Sequence, residues 1–211
     1  MARAAVALAI VYAFGYVSGS ILVDPRHDRT SLAIGIVRLI AGLLLTTVVF
    51  LLCLALGVPW FSGPFGVLMI AVALNGRRAL APPAPSMVFG WSGVLGGLIV
   101  FAFLAPPVIS ALRMAPGEFP PVFFNVDIPY FLEKVHSLIG AETFPPESLS
   151  VAGGRRPYHF GMHGLAALIS QGAGLAPHHA VFLVVVPVLS IGIVSAALVL
   201  ARFHETEGSE Q

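Results

Sequence analysis

Between residues 123 and 179 an otherwise charge-poor chain gathers the side chains that do chemistry. FFNVDIPYFLEKVHSLIG (Phe123–Gly140) carries Asp127, Glu133, Lys134 and His136, and PPESLSVAGGRRPYHFGMH (Pro145–His163) adds Arg155, Arg156, His159 and His163. Asp127 precedes an amphipathic pattern, where an aspartate serves either as a helix cap or as a positioned base or cation-binding carboxylate. Arg155 and Arg156 suit phosphate through the bidentate geometry of the guanidinium, and equally suit a solvated turn. His159 and His163 stand four apart, the spacing that puts two imidazoles on one helix face as in metal sites, although a third ligand is not evident. His178 and His179 read as wetting the start of the last apolar run, and His136 as facing water.

Two elements must position these groups. From Asp127, the residues Ile128, Phe131, Leu132, Val135, Leu138 and Ile139 recur with the period of an amphipathic helix whose other face holds Glu133, Lys134, His136 and Ser137. At about 13 residues this helix is too short to cross a bilayer and suits the interface plane. Paired prolines and paired glycines then break the chain, and a second short helix follows from about Phe160, GMHGLAALISQG, read as interfacial or re-entrant.

The surroundings are apolar. Of 211 residues 57% are hydrophobic and 10% charged, against about 25% charged in an ordinary soluble domain. The fold class expected is therefore an all-α, polytopic integral membrane protein. The formal net charge of +1, with no basic run, excludes nucleic acid as a partner. The single cysteine, Cys53, rules out an intrachain disulfide. No Walker loop, G-x-G-x-x-G, G-x-S-x-G or cysteine cluster occurs, so nucleotide-loop, hydrolase-elbow and zinc-finger chemistries find no footing.

Apolar runs of spanning length fall near Ala4–Val23, Leu32–Gly57, Met87–Leu112 and Ala180–Phe203, with a shorter one at Trp60–Asn75. If all five cross, Arg26, Arg29, Arg77, Arg78 and Arg202 share one face, which the positive-inside rule makes cytoplasmic. The predicted organisation is four amino-terminal spans over residues 1–112, one large external loop with two amphipathic helices over 113–178, a last span over 179–203 and a disordered polar tail over 204–211. Arg38, about two turns into the second run, reads as snorkelling towards Arg26 and Arg29, with a functional buried charge as the alternative.

The external segment, D-I-P-Y-F followed by F-P-P-E-S-x-x-x-A-G-G-R-R-P-Y-H-F-G-M-H, resembles the first external loop of GT-C-type membrane glycosyltransferases over about a quarter of the chain, from Asn125 to His179. The resemblance implies transfer of a sugar from a polyprenyl-phosphate donor at the external face of a bacterial inner membrane, with Asp127 as the base or ion ligand. From their position alone, and not from the resemblance, Arg155 and Arg156 would hold the lipid phosphate, and Tyr130, Lys134, Tyr158, His159 and His163 would line the pocket. A divalent cation is the cofactor it allows. Such enzymes have more spans than this chain, which thus reads as an amino-terminal portion, or as one that works with a second membrane subunit. A non-catalytic scaffold or lipid-binding assembly partner is the competing expectation, followed by a small transporter component.

Overall fold

A computed structural model describes residues 2–24, 32–81, 99–100, 102, 127–139, 141, 145–146, 161–194 and 197, and every regular element among them is helical. The first element, α1 (Ala2–Ile10), runs without a break into a π-helical stretch (Val11–Val17) and a 3₁₀ turn (Ser18–Ile21). Next come α2 (Leu32–Ala55), α3 (Ser62–Asn75) and the single turn α4 (Arg77–Leu80). The later elements are α5 (Asp127–Leu138), α6 (Gly161–Ala173) and α7 (Pro177–Val194), the last opening with a π-helical stretch over Ala180–Val185.

Among the described residues two helices are long and apolar enough to cross a membrane, Ile34–Ala55 within α2 and Pro177–Val194. At 1.5 Å per residue α2 is about 36 Å long, and the 14 residues of α3 extend only about 21 Å. The expected span at Met87–Leu112, apart from residues 99, 100 and 102, lies outside the described residues, as do the turn bearing Arg26 and Arg29 and the tail.

Side-chain pairs give the register of the first three helices. Thr46 donates to the Phe14 carbonyl and Arg38 to that of Tyr16, so α2 runs antiparallel to the first helix. Phe65 meets Phe14, while Asn75 reaches Ser20, so α3 runs parallel to it. The first two helices approach so closely because glycines face each other. A Cβ at Gly42 would overlap the backbone of Gly15 and Gly19, and a Cβ at Gly19 would overlap the Arg38 carbonyl. Where lipid already solvates apolar side chains, such backbone approach is a main source of helix association.

The core lies between the amino-terminal helices and the α5–α6 pair. α6 packs on α1, α2, α5 and α7, and it buries His163, Leu165, Leu168, Ile169 and Ser170 among others. Of the two expectations at this position, interfacial or re-entrant, this packing removes the surface-lying one: the helix is an interior one. Its small residues, Gly164, Ala166 and Ala167, permit contact on several sides at once: a Cβ on Gly164 would already press on Thr47 and Leu51. Gly174, with φ +62, then stops the helix, because only glycine takes that conformation without strain.

Candidate functional site

The polar groups of the described chain fall into two clusters, and only the first was anticipated. It lies along the seam of α5 and α6. Asp127 is the first residue of α5 rather than the residue before it, with Tyr130 one turn on, and α5 buries Leu132, Val135 and Leu138. Lys134 and Ser137 go inward with them, Lys134 retaining 5% exposure. This corrects the expected water-facing side of the helix. α5 is covered by α6 and by the first turn of α7, and the two polar groups find partners at once. Lys134 Nζ lies 3.4 Å from Glu133 Oε1, and Ser137 Oγ donates to the Lys134 carbonyl at 2.9 Å. His136 is exposed, as expected.

Across the seam His163 is 4% exposed, and its ring lies 4.0 Å from that of Phe131 at a 34° tilt. Phe131 precedes Lys134 by one turn, so one face of α5 brings an aromatic ring and a cation to the helix that carries His163. At the other end of α6 the His178 and His179 rings stand 4.2 Å apart, and Ser170 Oγ donates to the Leu175 carbonyl at 2.6 Å, closing the turn before α7. Of the sequence-derived site, then, Lys134 and His163 come to the same seam. Arg155, Arg156, Tyr158 and His159 lie outside the described residues. No group of three metal-ligating side chains occurs among the described residues.

The second cluster centres on Arg38, and it overturns the snorkelling expectation. Arg38 is fully buried. Its Nε donates to the Tyr16 carbonyl and its Nη2 to the Ala79 carbonyl, both at 2.8 Å, while Cζ sits 4.0 Å above the Tyr16 ring. A guanidinium removed from water is stabilised by charge-assisted bonds to carbonyls and by the face of an aromatic ring, and both are present. Arg38 stays inside because these acceptors are nearer than the helix end. The π-helical stretch contributes, since its wider turns present Phe14 and Tyr16 carbonyls to Thr46 and Arg38.

The same cluster fixes α4. Tyr12 Oη donates to the Leu80 carbonyl at 2.8 Å, and Tyr12 stacks on Tyr16 at 5.4 Å. Asn75 Nδ2 donates to the Ser20 carbonyl at 2.9 Å. The sequence signal for this arrangement was the small-x-x-x-small pattern G-Y-V-S-G (Gly15–Gly19) facing an arginine-bearing helix. No known protein family, curated protein or solved structure matches the chain.

Proposed function

We propose that this chain is a GT-C-like glycosyltransferase, or an amino-terminal portion of one, that works in a bacterial plasma membrane and transfers a sugar from a polyprenyl-phosphate donor at the outer face. The observation that supports this reading is the packing of α5 on α6. In sequence these two helices flank the Pro-Pro and Gly-Gly-Arg-Arg segment that carries Arg155, Arg156, Tyr158 and His159. In this reading five spans thread the membrane. Asp127 takes the proton of the acceptor hydroxyl or holds a divalent cation, Arg155 and Arg156 neutralise the departing lipid phosphate, and Lys134 adds positive charge from the buried side.

A membrane-based transfer assay with polyprenyl-phosphate sugars tests it. Asp127→Asn is expected to lower transfer at least a hundredfold, the scale of a lost general base, while the protein accumulates in the membrane as the native chain does. Equal transfer by both would remove Asp127 from the chemistry. No transfer by either would favour a non-catalytic scaffold, a reading consistent with the dense burial of Lys134 and His163.

A further inference from the structure

The single turn α4 is held from two sides, yet its own charged side chains are exposed. Ala79 is fully buried, its carbonyl accepting from Arg38 of α2, and the next carbonyl, of Leu80, accepts from Tyr12 of the first helix. Gly76, at φ +53, makes the reversal out of α3. Between these fixed points Arg77 and Arg78 are exposed. No carboxylate among the described residues pairs with either.

The surroundings of the pair are those of a membrane boundary. Leu74, three residues earlier, is 69% exposed, and Leu80, two residues later, is 52% exposed. Met69 and Ile70 extend the exposed apolar side of α3. At the opposite end of that helix stands Trp60, packed edge-on to Phe50 and Phe61, as tryptophans are placed at the lipid–water boundary. A helix only about 21 Å long, with an aromatic group at one end and arginines at the other, anchors at both boundaries by those groups.

We infer that Arg77 and Arg78 form a binding site for the phosphate of an anionic membrane phospholipid, with Leu74 and Leu80 against its acyl chains and α4 held ready by Arg38 and Tyr12. The chemistry is direct. Two adjacent guanidiniums with no carboxylate partner among the described residues match one phosphate diester, and a backbone already fixed loses little freedom on binding. The inference needs only a membrane-bound chain and does not depend on the transfer reaction, so failure of one leaves the other standing.

The test is native mass spectrometry of the full chain in detergent, titrated with phosphatidylglycerol or phosphatidylcholine. The wild type is expected to retain phosphatidylglycerol in preference, and R77Q/R78Q to lose roughly thirtyfold in affinity for it, at about a factor of five for each arginine near an anionic surface. The unfolding midpoint of the variant without added lipid should match the wild type, because both side chains are exposed and neither makes a hydrogen bond or ion pair among the described residues. Equal retention of both lipids by the wild type, or unchanged phosphatidylglycerol binding by R77Q/R78Q, would overturn the inference. So would competition by glycerol 3-phosphate as effective as that by the intact lipid, which would reassign the site to a free phosphate.

Discussion

Arg38 and Lys134 are both cations inside the protein, and they are stabilised by different means. Lys134 pairs with the adjacent Glu133 at the edge of a helix, whereas Arg38 is surrounded by carbonyls and the Tyr16 ring. Removing the guanidinium leaves two acceptors and an aromatic face without a donor in a site closed to water, so Arg38→Met is expected to cost about 3 kcal/mol. The unfolding midpoint of the purified protein in detergent checks this, and Arg38→Lys should recover only part of the loss, since a single ammonium cannot reproduce the fork that bridges Tyr16 and Ala79. The presence of Arg38 in an apolar run was plain in the sequence, but not its fate. Snorkelling and burial differ only in whether acceptors lie within reach, and the acceptor at Ala79 stands 41 residues away. Likewise Lys134 and His136 stand two residues apart, at opposite edges of the polar side of their helix, and the covering by α6 and the first turn of α7 buries the one and leaves the other exposed.

Among the elements, the long ones were legible and their surroundings were not. α2, α3, α5 and α6 lie close to where hydrophobic period, length and breakers put them, because those signals are local. The π-helical stretches at Val11–Val17 and Ala180–Val185 left no trace, since a run apolar on all sides carries no phase from which an altered number of residues per turn can be read. The short length of α6 points to an interfacial or re-entrant helix, whereas its alanines and glycines serve close packing in the interior. Glycines separate these effects well. Gly42→Ala inserts a methyl group into the backbone of the first helix, and an expected loss of about 2 kcal/mol follows from overpacking. Gly66, in α3, has nothing within 4 Å of an added Cβ, so Gly66→Ala should raise stability by about 0.5–1 kcal/mol through helix propensity alone. Thermal unfolding of the two variants side by side reads both signs.

At the scale of the whole molecule, α6 is the element on which the amino-terminal and carboxy-terminal helices meet. Leu168, 1% exposed, stands in that meeting place, and Leu168→Ala is expected to cost about 2–5 kcal/mol as a large-to-small core change. Met162→Ala, at an exposed position of the same helix, should stay within about 0.5 kcal/mol. Cys53 supplies the readout: the one thiol in the chain is buried, so its rate of alkylation by N-ethylmaleimide should rise in Leu168→Ala and stay low in Met162→Ala. Arg38 carries a consequence of another kind, set by time. The ribosome completes α2 at Ala55 before it makes Ala79, so this helix forms while the second acceptor of Arg38 is not yet in place. The leucines, isoleucines and valines that flank Arg38 in sequence make α2 apolar enough to cross a membrane, and the packing of α4 then supplies the second acceptor. Assembly of this bundle is therefore sequential by construction, with the closing step written two helices downstream of the residue that requires it.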